Sequence, residues 1–144
     1  VLFRSIVCNP SPYNRILETC DFSKISLFML NEVEGFQMTG QREPEKILDV
    51  MSERFPKAEA VLTLGEEGAV YRKGTVELRQ ECIPADVADT TAAGDTFTGY
   101  FIAGIINGMS PADNLKRCAK ASSLAVSRKG AAPSIPTSDE VDIV

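Results

Sequence analysis

Asp89-Thr90-Thr91-Ala92-Ala93-Gly94-Asp95-Thr96-Phe97 has the chemistry of a strand end, a turn of small residues and a helix start. Ala92, Ala93 and Gly94 carry no bulk to shield their backbone N–H groups. At a helix N-terminus those groups point outward with about half a positive charge. Such a turn is an anion site, suited to a phosphate or to developing negative charge. Asp95 follows directly. Phosphoryl transfer needs that pairing: charge stabilisation held in place and a base aimed at the attacking oxygen. The same residues also suit an ordinary helix start, where an Asp contributes about 0.3–1 kcal/mol. No Ser or Thr stands three residues before Asp95, so a Ser/Thr capping box does not account for it.

Working outward, residues 92–107 predict a helix rich in small residues, among them Ala93, Gly94, Gly99, Ala103 and Gly104. Each interior Gly costs about 1 kcal/mol relative to Ala, and close packing against neighbours would explain that cost. Ser110-Pro111-Ala112-Asp113 is a capping-box-like start. The helix it opens is expected to reach about Lys129, with Gly130 as its stop, followed by a Pro-containing loop over 131–136. Upstream, Ile6-Val7-Cys8 predicts a short strand ending in the turn Asn9-Pro10-Ser11-Pro12. Leu27-Phe28-Met29-Leu30 is a second apolar run, with Asn31 directly after it. Pro44 opens a helix with Ile47, Leu48, Met51 and Phe55 on one face, closed by Pro56. Ala60-Val61-Leu62-Thr63-Leu64 is a strand leading into Gly65-Glu66-Glu67-Gly68, and residues 69–71 and 75–78 flank Lys73-Gly74 as a hairpin. Strands alternating with helices predict a mainly parallel α/β sheet with helices on both faces. Ligands of such sheets bind at the C-terminal strand edge.

The 144 residues suit one domain with a real core. Apolar residues make up 44% and charged residues 24%, the balance of an ordinary globular protein. A net charge of −5 disfavours a generic nucleic-acid surface, and no apolar run approaches the roughly 20 residues a membrane helix needs. Cys8, Cys20, Cys82 and Cys118 are scattered without a CxxC pair, and histidine is absent. A zinc site or disulfide framework is therefore disfavoured, reduced thiols and a cytoplasmic setting are the expectation, and Ser-His-Asp and Cys-His chemistry is excluded. Acid–base work falls to Asp, Glu, Lys, Tyr or Cys.

Asp89-Thr90-Thr91-Ala92-Ala93-Gly94-Asp95 resembles the second signature of the ribokinase-like, PfkB-type carbohydrate kinase family. So do Asn9-Pro10-Ser11-Pro12, Asn31-Glu32-Val33-Glu34, Thr63-Leu64-Gly65-Glu66-Glu67-Gly68 and the ending Val126-Ser127-Arg128-Lys129-Gly130-Ala131-Ala132-Pro133-Ser134-Ile135-Pro136, all in the family's order. The resemblance runs from Ile6 almost to the C-terminus. It implies the C-terminal, nucleotide-binding and catalytic part of a ribokinase-like three-layer α/β/α sandwich. The implied activity moves the γ-phosphoryl of ATP to a sugar hydroxymethyl group; a nucleoside or another sugar is the alternative acceptor, and a non-catalytic nucleotide-binding fragment the alternative for the chain as it stands.

By that resemblance Asp95 is the catalytic base, facing the substrate, and Ala92, Ala93 and Gly94 form the anion hole. ATP would be held by Asn31, by Thr63, Leu64, Gly65, Glu66, Glu67 and Gly68, and by Gly94 and Asp95. Ala119 falls where the family commonly puts an adenine-contacting Asn or His, so base contact there reduces to packing. Asn31 and Glu34 match the family's Asn-x-x-Glu element, which places Mg²⁺ through water; a solvated face of a short helix is the bland reading of Glu34. Asp89, Thr91, Ala125, Arg128, Gly130 and Ser134 match the family's monovalent cation site, a K⁺ held mostly by backbone carbonyls. Arg128 and Lys129 also suit a helix C-terminus. A homodimer of the full-length protein is a further expectation. Val1-Leu2-Phe3-Arg4-Ser5 back-translates to GTG-CTC-TTC-CGA-TCT, the end of a common sequencing adapter, so residues 1–5 are expected to be an artefact and 6–144 the kinase portion.

Overall fold

The computed structural model describes residues 5–142. Of the expected artefact only Ser5 falls within them. The described residues form two compact units, one running to Leu64 and including Val70–Leu78, the other made of Gly65–Ala69 and everything from Arg79 onward.

The first unit is built on a sheet of five strands in the order β1 to β5: β1 (Val7–Cys8), β2 (Leu27–Asn31), β3 (Glu59–Thr63), β4 (Ala69–Lys73) and β5 (Val76–Gln80). β1, β2 and β3 are parallel. The connections from β3 to β4 and from β4 to β5 are far shorter than the dozen residues a parallel crossover needs. These neighbouring strands therefore run antiparallel, and the sheet is mixed where a mainly parallel one was expected. Between β2 and β3 lie α1 (Glu32–Thr39) and α2 (Pro44–Arg54). Ile47, Leu48 and Met51 of α2 are buried against Phe28, Leu30, Ala60 and Leu62, as their helical spacing predicts. Phe22, Phe28 and Phe55 form an aromatic cluster with ring centroids 4.8 to 6.1 Å apart. Gly35 allows α1 to approach α2: a methyl group there would stand 2.9 Å from Ile47 Cγ2.

The second unit is a helical pair. α3 (Ala93–Ile106) packs against α4 (Pro111–Val126), and the short α5 (Ser138–Asp142) returns onto α4. Ser110 caps α4 by accepting the Asp113 N–H. Arg117 binds Asp142 through two hydrogen bonds of 2.7 and 2.9 Å and stacks over Tyr100. The Tyr100 hydroxyl donates to the Pro136 carbonyl at 2.7 Å. Together these contacts tie the tail to both helices.

α4 stops at Val126, three residues before the expected Lys129. The Ser127 hydroxyl donates to Leu124 O, the Arg128 N–H to Ala125 O, and Gly130 adopts φ +95°, so the turn breaks before the basic pair. Arg128 does not cap the helix; its guanidinium pairs with Glu140 at 2.6 Å. The small residues of α3 divide into two kinds. Gly104 meets α4 so closely that a methyl group would stand 2.0 Å from Asn114 Oδ1, whereas Gly94 and Gly99 face open space. Close packing explains the first glycine and not the other two.

Candidate active site

Site residues expected from the sequence fall in both units. In the first, Asn31 and Thr63 are register partners at the C-terminal ends of β2 and β3, and Thr63 Oγ1 donates to Leu30 O. Asn31 and Glu34 make a reciprocal capping box at the start of α1. Asn31 Oδ1 accepts the Glu34 N–H, Glu34 Oε2 accepts the Asn31 N–H, and both bonds are 2.9 Å. Glu34 is 5% exposed, which overturns the solvated-face reading. The Asn-x-x-Glu pattern is a capping-box signal in its own right, with Asn in place of the usual Ser or Thr at the N-cap. One carboxylate oxygen of Glu34 remains for another partner.

The second unit holds the rest. In the turn Gly65–Glu67 the Gly68 N–H donates to Gly65 O at 3.2 Å. Gly65 adopts φ +56° and Gly68 φ +95°, values that disfavour any side chain. At Gly68 the space is closed as well: a methyl group would meet Gln80 O at 2.0 Å and Cys82 N at 2.8 Å. Glu66 and Glu67 are exposed. Ala119 is buried on α4, so its methyl group offers little surface to a purine.

Asp89 organises the central turn. Its Oδ1 accepts both the Thr91 hydroxyl at 2.6 Å and the Thr91 N–H at 2.9 Å, and its Oδ2 accepts the Gly130 N–H at 3.1 Å. The Thr91 hydroxyl, then the Thr91 and Gly130 amides, hold the Asp89 carboxyl below its ordinary pKa. The N–H groups of Ala88 and Asp89 both donate to Val126 O. The turn is thereby fastened to the loop after α4, and the residues expected to hold a cation lie on these two joined segments. Among the described residues the carbonyls of Thr91, Arg128 and Gly130 accept no hydrogen bond, while that of Ala125 accepts from Arg128 and Ser127. The Ser134 hydroxyl donates to Ala131 O at 2.7 Å.

α3 begins immediately after this turn. Ser122 on α4 pins its first residue by donating to Ala93 O at 3.2 Å. Of the three amides expected to form the anion hole, that of Ala93 donates to Thr90 O at 3.2 Å and is engaged in the turn. The amides of Ala92, Gly94 and Asp95 have no acceptor among the described residues. Asp95 therefore supplies an open donor through its own backbone as well as a carboxylate, a dual role that its side chain alone did not suggest. Asp95 is exposed and lines a groove of about 310 Å³.

Strands with parallel neighbours, a glycine turn and a helix N-terminus carrying an acid beside open amides are features of an α/β protein suited to bind an anion. The model of the pfkB family carbohydrate kinases matches residues 3–138. The ribokinase of Lactococcus lactis is 33% identical over 137 residues, covering 94% of this chain and 43% of that protein. The structure of Arabidopsis thaliana ribokinase complexed with ribose and ATP superposes with a TM-score of 0.77 at 34% identity, over 83% of this chain and 40% of that one. A putative ribokinase II from E. coli, in complex with ATP and Mg²⁺, gives a TM-score of 0.76 at 25% identity, over 83% of this chain and 39% of that one. The chain belongs to the pfkB family of carbohydrate kinases. It spans less than half the length of these relatives.

Proposed function

We propose that this chain is the nucleotide-handling, base-bearing portion of an ATP-dependent kinase acting on a sugar hydroxymethyl group, ribose being the first candidate. The observation that carries the reading is the first turn of α3, where the Gly94 and Asp95 amides lack acceptors among the described residues beside the exposed Asp95 carboxylate. The family match and the ribose and ATP in the Arabidopsis relative support it.

Asp95 takes the proton from the sugar hydroxyl as the oxygen attacks the γ-phosphorus. A new O–P bond forms, the bond from the γ-phosphorus to the β–γ bridging oxygen breaks, and ADP leaves with that electron pair. The open amides and the helix N-terminus stabilise charge building on the transferred phosphoryl oxygens. The turn containing Gly65 and Gly68 lets the backbone approach the nucleotide. Asn31 and the spare oxygen of Glu34 would orient water around Mg²⁺, in keeping with an ion that retains several waters. Mg²⁺, when bound, offsets phosphate charge. The unpaired carbonyls of Thr91, Arg128 and Gly130 suit a K⁺ behind the anion hole, where it would shift the local potential; Asp89, Ala125 and Ser134 shape that loop. Asp95→Asn in the full-length enzyme should cut kcat by roughly 10²–10⁴, the usual scale for a positioned base, with ATP binding retained. Turnover near the wild-type value would remove Asp95 from that role.

The 144-residue chain alone should release no sugar-dependent ADP, because it spans only 43% of the Lactococcus lactis ribokinase and 40% of the Arabidopsis thaliana one.

A further inference from the structure

The N-cap of α3 is Ala92, whose side chain has no atom able to accept a hydrogen bond. A helix is usually capped by Asn, Asp, Ser or Thr, whose side-chain oxygen accepts the N–H two or three residues on. In α3 those amides are the ones of Gly94 and Asp95, which lack acceptors among the described residues. An ordinary cap would hold the start of the helix and also occupy the donors that the proposed reaction needs. Without a cap the first turn is left to small residues, and Gly94 restrains its own backbone least of all.

Ser122 supplies the restraint from another direction. It is half-buried on α4, and its hydroxyl donates to Ala93 O at 3.2 Å. Ala93 O and the Gly94 N–H belong to one peptide unit. That unit is planar and trans, so its carbonyl and its N–H point opposite ways, and fixing one aims the other. The Ala93 N–H is held too, by Thr90 O at 3.2 Å, so both peptide planes at Ala93 are pinned. A donor on the carbonyl also polarises the peptide and strengthens its N–H. Ser122 is placed in turn by the packing of the helix pair. Asn114, eight residues before it on α4, donates at 2.7 Å to Phe101 O, eight residues after Ala93 on α3. That buried bond fixes the antiparallel register in which Ser122 meets Ala93.

We infer that Ser122 is a positioning residue for phosphoryl transfer. It stands in for a helix cap by gripping the carbonyl side of the Ala93–Gly94 peptide, which aims the Gly94 N–H at the transferred phosphoryl group and leaves that donor free. The inference rests on the proposed function. Because Ser122 acts through the peptide and not on the substrates, its loss is felt where charge builds in the transition state and not in ground-state binding.

The test uses the protein encoded by the complete gene, as wild type, Ser122→Ala and Ser123→Ala. Ser123 is the control, since its hydroxyl donates to Lys120 O within α4. Removing one donor from such a site costs roughly 10²–10³ in kcat, and misaiming one costs less, so Ser122→Ala should lower kcat about tenfold. It should weaken binding of ADP with aluminium fluoride, a mimic of the phosphoryl group in transfer, by about the same factor. The KM for ribose and the Kd for ADP should stay within about twofold of wild type, and the melting temperature within about 5 °C, the scale of one neutral hydrogen bond. Ser123→Ala should match the wild type throughout. Equal kcat and equal affinity for ADP with aluminium fluoride in Ser122→Ala and wild type would overturn the inference. So would the same losses in Ser123→Ala. A Ser122→Ala protein that loses ADP affinity and more than about 5 °C of melting temperature in step with its kcat would overturn it too, because that marks a bolt between helices and not an aimed donor. A wild-type complete protein that phosphorylates no sugar would sink the proposed function and the inference together, whereas an active wild type with an indifferent Ser122→Ala removes the inference alone.

Discussion

Replacing Gly104 by Ala tests the packing that sets α3 against α4. The added methyl group would stand 2.0 Å from Asn114 Oδ1 and 2.3 Å from its Cγ. Asn114 cannot swing into solvent, since it is 1% exposed and its amide donates to Phe101 O at 2.7 Å. The helices must separate, and Asn114 gives up that bond as they do. Overpacking costs about 1–3 kcal/mol and a broken buried hydrogen bond about 1–3 kcal/mol, while Ala in place of Gly returns about 1 kcal/mol of helix propensity. The net loss is therefore about 3 kcal/mol, or a fall in melting temperature of about 6–12 °C for a chain of this size. Thermal unfolding followed by circular dichroism at 222 nm measures it. A double-mutant cycle with Asn114→Ala should return a favourable coupling of at least about 1 kcal/mol, because the smaller partner makes room for the methyl group. A Gly104→Ala chain that melts at or above the wild-type temperature would refute the close-approach argument.

Gly68→Ala in the full-length enzyme should weaken ATP binding at least about tenfold, because positive φ costs about 1–2 kcal/mol and the methyl group collides with the Gln80 backbone; Gly74→Ala, also at positive φ but in open space, should leave ATP affinity unchanged in the same titration. Exchanging Na⁺ for K⁺ at constant ionic strength should raise the rate of the full-length kinase, and equal rates in the two salts would remove the cation from the loop after α4. The Arg128 guanidinium, with the Thr137 amide and hydroxyl, lowers the Glu140 pKa to about 2 from 4.5. Its contribution to stability is then complete above about pH 4.5 and is lost as pH falls toward 2, so Glu140→Gln should flatten that part of the acid-unfolding curve. An acid limb identical to the wild type would show the pair to be inconsequential.

The sequence by itself determined the elements whose signals are local. Helix α2 follows from the spacing of Ile47, Leu48 and Met51 behind Pro44, and α4 starts where Ser110 and Pro111 place it. The turn at 89–95 was legible because small residues, an acid and a helix start are neighbours in the chain, and ordered motifs carried the family. Long-range geometry decided the rest. α4 ends at Val126 because the loop that follows is drawn back to Asp89 through Gly130, a bond spanning 41 positions that no window of sequence contains. Glu34 is buried in a cap because α1 leaves β2 at Asn31, and the Ala93 amide is engaged because the turn bends back to Thr90. The glycines of α3 look alike in the sequence. Only the position of Asn114 separates Gly104, which a neighbouring helix requires, from Gly99, which this chain leaves open, since contact across a fold depends on where two helices cross and not on composition.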